Sequence, residues 1–415
     1  MSLAKRSDSA YVSESCNTEF VSELNDSINK ALLLQTQSVP FNKPFIVGEE
    51  LNYIARAVSN GVLSGDGEFT RLCHDWLESN LNCKKALLTH SCTAALEMSA
   101  ILADIQPGDE VIMPSFTFVS TATAFVLRGA IPVFVDINRD TLNIDEELVE
   151  KAIGERTKAV VAVHYAGQPC NMEALKDICS RYDIYLIEDA AQAILAKSNG
   201  QALGTIGDLG CLSFHETKNV ISGEGGALLI NNEDLIDRAE IIWQKGTNRK
   251  AFFRGQVDKY TWVDIGSSFL PSELNAAFLY AQFEHAERIN AHRRRLYVRY
   301  YSALHSLANM GLFELPLVFN GKPENAHIFY IICRSNEERS ALMAYLAEYK
   351  ISAVFHYVPL HDSPAGRHYA RTSGSMKVTE DISSRLLRLP IYSQMEFELV
   401  DRVCNSIESF FKNAG

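Results

Sequence analysis

The sequence predicts an α/β protein: a large domain on a mostly parallel, seven-stranded sheet, followed by a smaller C-terminal α/β domain. Three observations carry that reading. Short runs rich in β-formers alternate with stretches of helix length over most of the chain, the pattern of parallel strands joined by helical crossovers. Several runs, Val160-Val161-Ala162-Val163 among them, are apolar throughout instead of alternating, as strands covered on both faces are. The chain has 415 residues, 47% apolar and 22% charged, enough to bury a core of that size.

Taken in order, residues 1–39 form a polar, Ser-rich extension. Within it Phe20, Leu24, Ile28 and Leu32 recur every fourth residue behind Asn17 or Thr18 as N-cap, which predicts an amphipathic helix over 18–36. Strands are expected at 86–89, 110–113, 132–136, 159–165, 184–188, 210–214 and 226–230. Helices are expected between the earlier ones, at 93–104, 120–128, 145–153 and 172–182. Ser272 opens a long helical pattern that runs to Leu307. The division between domains is expected along it, giving a large domain over 40–285 and a small one over 286–415. Past a turn-rich stretch at 315–324, the small domain is expected to hold strands at 327–333 and 352–357, with helices at 337–349 and 397–412.

Charge and composition narrow the function. A net charge of −12 argues against nonspecific binding of nucleic acid or of an acidic membrane, although a small anion answers to local charge and backbone amides. No segment approaches the roughly 18 consecutive apolar residues of a membrane span, and no hydrophobic leader is evident. Nine scattered cysteines, an odd count without a CxxC pair, suggest reduced thiols in a cytoplasmic protein, with no metal set expected.

In an open parallel sheet, ligands sit beyond the carboxyl ends of the strands. Four segments fall at such ends. Leu88-Thr89-His90-Ser91-Cys92-Thr93 passes from strand to helix through small hydroxyl residues, which suits a phosphate and equally an ordinary helix cap. In Ile187-Glu188-Asp189-Ala190-Ala191-Gln192 two acids close an apolar strand, and alternation turns them to opposite faces. One of them could hold a protonated ring nitrogen; alone, the segment serves as readily as a metal ligand or a cap. Ser213-Phe214-His215-Glu216-Thr217-Lys218 puts a lysine on the turn after a buried strand, ahead of the Gly-rich Ser222-Gly223-Glu224-Gly225-Gly226. Desolvation there would free its amine for Schiff-base chemistry, whereas most lysines are solvated surface charges. Pro114-Ser115-Phe116-Thr117-Phe118 brings an aromatic that could stack on a planar ring or simply fill core.

In combination these segments resemble one family, the DegT/DnrJ/EryC/StrS sugar aminotransferases of the aspartate-aminotransferase fold (fold type I of the pyridoxal-phosphate enzymes). The likeness runs from Pro40 onward and rests on five motifs in order: S-x-T-A-A-L, P-S-F-T-F, H-Y-x-G-Q-P, E-D-A-A-Q and S-F-H-x-T-K-N. Segments 246–249, 252–262 and 355–361 resemble the members that make dTDP-4-amino-4,6-dideoxy-D-galactose.

The resemblance implies pyridoxal 5′-phosphate as cofactor, glutamate as amino donor, a nucleotide-linked keto-sugar as acceptor and a homodimer with shared active sites. It implies Lys218 as the lysine joined to the cofactor, Asp189 at the ring nitrogen and Gln192 at the phenolic oxygen. Phe118 would stack on the ring, with Cys92, Thr93 and Ser213 at the phosphate. Lys245, Arg249, Arg254 and Lys259 cluster in one stretch, expected to border the nucleotide-sugar cleft, and His356 and His361 are expected to line the sugar pocket. One departure stands out. Where many members carry Asn-x-Arg, with an Asn that crosses to the partner subunit's cofactor, this chain has Ser268 and Leu270.

Three rival readings meet specific residues. A pyridoxamine-dependent sugar dehydratase typically has histidine where Lys218 stands. A non-catalytic relative would not need Lys218, Asp189 and Gln192 together. A nicotinamide-dependent oxidoreductase wants G-x-G-x-x-G where Ser91-Cys92-Thr93 stand.

Overall fold

The structure, a computed structural model, describes residues 37–318 and 323–413; the helix expected over 18–36 lies outside them. Fourteen strands occur along the described chain. The main sheet uses β1 (Lys85–Thr89), β2 (Glu110–Pro114), β3 (Ile131–Val135), β4 (Thr157–Val163), β5 (Tyr185–Asp189), β8 (Leu209–Ser213) and β9 (Gly226–Ile230), and each lies where a strand was expected. A small ribbon pairs β6 (Lys197–Ser198) with β7 (Gln201–Ala202). The remaining strands are β10 (Phe313–Glu314), β11 (Phe329–Cys333), β12 (Val354–Phe355), β13 (Arg371–Thr372) and β14 (Leu386–Leu389).

The main sheet has eight strands in the order β1-β9-β8-β5-β4-β2-β3-β13, and only β9 runs against its neighbours. The eighth, β13, adds to β3 from far down the chain, so the sheet is one strand wider than expected. Two residues are too few to show a period in the sequence. Arg371 holds this edge in place, reaching buried Glu110 with Nη2 at 2.6 Å and Nε at 3.1 Å.

The continuous apolar run of β4 follows from burial on both faces. Val160 and Ala162 pack with Ile112, Val133, Val135 and Leu186 on one side. Ala159 and Val161 pack with Leu87, Val111, Met113 and Ile187 on the other. Each such side chain contributes about 1.5–3 kcal/mol for a full-sized aliphatic group, less for alanine.

The long helix expected from Ser272 to Leu307 is two helices, Glu273–Phe283 and Ala286–Asn309, parted at Glu284 and His285. The first serves the main domain: buried Glu273 accepts from the amides of Gly67 (3.0 Å), Phe69 (2.7 Å) and Thr70 (3.1 Å), capping helix Glu68–Leu81 from outside. The second serves another core, where Leu296, Tyr300 and Leu304 meet Phe329, Ile331, Leu342, Leu387 and Ile407. A steady apolar period hides a break that only redirects the chain.

That second core lies on an antiparallel sheet, β10-β11-β14-β12. The strand expected over 352–357 keeps only Val354–Phe355. Beyond it the chain leaves the small sheet, and His356 and Tyr357 reach Phe116 and Phe118 of the main domain.

Candidate active site

The carboxyl ends of β1, β2, β5 and β8 open onto one cavity of about 390 Å³, of the size small-molecule sites take. After β1, extended Ser91 accepts a hydrogen bond from the Ala94 amide at 3.1 Å and starts helix Cys92–Leu102. The amides of Cys92 and Thr93, first in that helix, have no intrahelical acceptor, and no acidic side chain occupies the first turn. Gly226 makes room here: a Cβ on it would lie 2.4 Å from the Cys92 nitrogen.

After β2 the two phenylalanines part. Phe116 is buried against Tyr165 and His356, while Phe118 is 53% exposed beside the cavity, its ring 5.5 Å from that of Tyr357. At the end of β5 the two acids part as alternation requires. Asp189 lines the cavity and accepts from Thr121 Oγ1 at 2.7 Å and the Ala191 amide at 3.2 Å. Glu188 is fully buried on the other face, accepting from the amides of Gly204 (2.7 Å), Ile206 (2.6 Å) and Gly207 (2.7 Å) and meeting His164 Nε2 at 2.8 Å. Gln192 lines the cavity and accepts from the Ala166 amide through Oε1 at 2.7 Å.

After β8 the chain folds back through hydrogen bonds from Phe214 to Gly225 (2.8 Å), Ser222 to Phe214 (2.7 Å) and Glu216 to Gly223 (2.9 Å). Lys218 stands in this turn. Its neighbour Asn219 is buried and fixed: Nδ2 donates to Asn290 Oδ1 and to the Asn325 carbonyl, both at 2.8 Å, and Oδ1 lies 2.9 Å from His327 Nδ1. Lys218 lines the cavity. Burial pushes its pKa below the ordinary 10.5, partly offset by Cys92 and Asp189, and the Arg388 guanidinium lowers it further.

The structure therefore brings Lys218, Asp189, Gln192, Ser213, Cys92, Thr93 and Phe118 to one cavity. It does not bring the residues expected at the sugar. His356 is buried behind the wall, its Nδ1 3.1 Å from the Tyr165 hydroxyl, and burial holds its pKa well below the ordinary imidazole value. His361 lies 2.7 Å from Ser115 Oγ through Nδ1 and 3.4 Å from Glu380 through Nε2. Lys245, Arg249 and Arg254 are exposed and outside the cavity lining, with Arg249 opening the short helix Arg249–Phe253 and Arg254 closing it. Arg254 pairs with Glu240, and Arg249 lies over its own neighbour Phe253 at 5.2 Å.

Sequence reasoning missed Tyr357 and Thr121, both in the cavity wall. Tyr357 adjoins a residue that was singled out, and Thr121 sits one helical turn after Thr117, 2.8 Å from it; neither position announces its direction.

A buried-turn lysine and a carboxylate sharing a cavity at strand ends is a constellation suited to pyridoxal 5′-phosphate. The donor set fits each part of that molecule: an amine for the aldehyde, a carboxylate for the ring nitrogen, an exposed aromatic face, and free amides with the Ser213 hydroxyl for the phosphate. The model of the DegT/DnrJ/EryC1/StrS aminotransferase family matches residues 44–408. The chain belongs to that family, and its cofactor is pyridoxal 5′-phosphate.

Among its relatives, the chain is 31% identical over 383 residues to the uncharacterized protein MJ1066 of Methanocaldococcus jannaschii, covering 91% of this chain and 98% of that one. It is similar to the structure of S. venezuelae DesV, at 30% identity and a TM-score of 0.82, with 90% and 99% of the two chains covered. It is also similar to the aminotransferase TlmJ of Streptoalloteichus hindustanus, at 26% identity and a TM-score of 0.83, covering 91% and 100%. Among the described residues no helix is long and apolar enough to cross a membrane.

Proposed function

We propose that this aminotransferase moves the amino group of glutamate to C4 of dTDP-4-keto-6-deoxy-D-glucose, acting as a dTDP-4-amino-4,6-dideoxy-D-galactose transaminase in the cytoplasm. The observation that carries the reading is the shared cavity of Lys218 and Asp189 at the strand ends. The likeness of segments 246–249, 252–262 and 355–361 to the members making the galacto amino sugar supports the acceptor and the epimer.

When bound, the cofactor supplies an electron sink next to the donor's α-carbon. Lys218 Nζ, its pKa lowered by burial, would take the donor's α-proton and give one back in the same half-reaction. In the second half-reaction it delivers a proton to C4 of the sugar. Asp189, oriented by Thr121 and the Ala191 amide, holds the proton on the ring nitrogen. Gln192, pinned by the Ala166 amide, would face the phenolic oxygen, and Phe118, beside Tyr357, would stack on the ring. The amides of Cys92 and Thr93 and the Ser213 hydroxyl take the phosphate.

The reading includes a division of the chain near residue 285 and a homodimer. Trp262, Phe253 and Tyr260, at 79%, 68% and 56% exposure on one loop, support an interface with a second copy. Through that interface Lys245 and Arg249 would meet the diphosphate at the partner's cavity, with His356 and His361 shaping the sugar side. The test is incubation with glutamate and dTDP-4-keto-6-deoxy-D-glucose, followed by NMR of the product. An axial C4 amine is expected. An equatorial amine would replace the galacto epimer with the gluco one, and an unchanged sugar would refute the substrate.

A further inference from the structure

A buried polar junction ties the segments of Lys218 and Gln192 to a distant part of the chain. Asn325, buried just ahead of β11, donates through Nδ2 to the Gln192 carbonyl at 2.8 Å and to the Ile194 carbonyl at 3.3 Å. Its own carbonyl accepts from Nδ2 of Asn219, the residue after Lys218, at 2.8 Å. One residue thus holds both segments. Asn219 also fixes the role of His327. Its Nδ2 donates to Asn290 and to Asn325, so its Oδ1 is the acceptor, and His327 Nδ1, 2.9 Å away, carries the hydrogen. Behind them buried Arg293 braces the same segment, donating through Nε to the Ala326 carbonyl at 3.1 Å and through Nη2 to the His327 carbonyl at 2.7 Å.

The backbone on both sides is shaped for this junction. Ala166, whose amide holds Gln192 Oε1, has φ +56°, and Ala326 has φ +50°, a left-handed conformation that alanine adopts only when its surroundings impose it. Gly167 leaves the space that Asn325 fills: a Cβ there would lie 2.1 Å from Asn325 Oδ1.

We propose that Asn325 and His327 are positioning residues for amino transfer, keeping the Lys218 turn and the Gln192 segment at one fixed separation. The inference rests on the roles given to Lys218 and Gln192 above. On the cofactor ring the aldehyde and the phenolic oxygen are neighbours, so the groups that meet them must share a frame. The sheet alone does not provide it. Gln192 stands three residues past the end of β5 and Lys218 five past the end of β8, beyond the ladder of strand hydrogen bonds. The junction supplies the missing cross-link, and a misplacement of about 1 Å at a reacting group can cost on the order of 100-fold.

The experiment mixes cofactor-free protein with pyridoxal 5′-phosphate and follows absorbance as the Lys218 amine adds to the aldehyde and water leaves. The variants are Asn325→Ala, His327→Gln and His327→Asn. Asparagine can place an N–H where imidazole Nδ1 has one, whereas glutamine places it where Nε2 lies, so only the first can replace the bond to Asn219. None of them touches the expected phosphate site, so half-saturating cofactor should stay within about threefold. The imine-forming step should slow about 10- to 100-fold in Asn325→Ala and His327→Gln. In the loaded proteins kcat should fall with it while KM for glutamate stays within about threefold. His327→Asn should recover most of the loss. Lower melting temperatures with wild-type rates in the folded variants would mark a purely structural junction, overturning the inference and leaving the transaminase reading intact. Equal rates in His327→Asn and His327→Gln would overturn it too, and that pair decides alone should Asn325→Ala fail to fold. A wild-type protein that forms no adduct at Lys218 overturns both.

Discussion

The cofactor cavity and the loop at 245–265 differ in how they treat charge. In the cavity the key polar side chains are set by neighbouring groups: Asp189 by Thr121 and Gln192 by the Ala166 amide, while Lys218 stands on a turn anchored through its neighbour Asn219. On the loop the cations turn to local partners. Arg254 pairs with Glu240, Lys250 meets Asp66 at 2.8 Å, and Trp262 stands 79% exposed. A site at strand ends is completed by the sheet that makes it, because neighbouring strands deliver their ends to one place. A loop that leaves the sheet has no such frame within its own chain, and its rings stand exposed.

The sharpest way to break this comparison is Lys218→Ala. Turnover should fall by at least about 1,000-fold, and borohydride reduction should no longer leave a pyridoxyl label on the peptide holding residue 218. In protein freed of cofactor, the rate at which added pyridoxal 5′-phosphate forms the imine should rise with pH as the Lys218 ammonium loses its proton. Because burial lowers that pKa, the midpoint of the rise should come below pH 10.5; a midpoint at or above it would place the lysine in solvent.

The adjacent acids allow a finer test. Asp189→Asn should cost about 100-fold or more in turnover while cofactor stays bound. Glu188→Gln should instead lower stability by about 1–3 kcal/mol, since its carboxylate holds three backbone amides, and thermal melting would show it. Equal effects of the two substitutions on turnover would dissolve the distinction between the faces of β5.

Gly226→Ala should cost about 1–3 kcal/mol of stability and weaken cofactor retention, because the added carbon would lie 2.4 Å from the Cys92 nitrogen. Retention can be read by dialysis and absorbance. On the loop side, Trp262→Asp should move the protein toward monomer in sedimentation while changing the stability of the single chain by only about 0.5 kcal/mol. A monomeric wild-type protein would remove the partner-covered surface altogether.

The sequence by itself determined the main sheet and most of the cavity. Strands buried on both faces leave continuous apolar runs, and the residues just past their carboxyl ends must meet at one edge of the sheet, so Lys218, Asp189, Gln192 and Ser213 could be read from short contiguous motifs. Elements made by distant or very short pieces were decided only in three dimensions. The two-residue β13 joins β3 through Arg371 and Glu110, the helix at 273–309 breaks where the chain passes between cores, and Tyr357 reaches the cavity from just beyond the small sheet. Periodicity reports a residue's own element and its buried face. It carries no record of which distant element packs there, and that packing is what brings Tyr357 to the wall that holds Lys218.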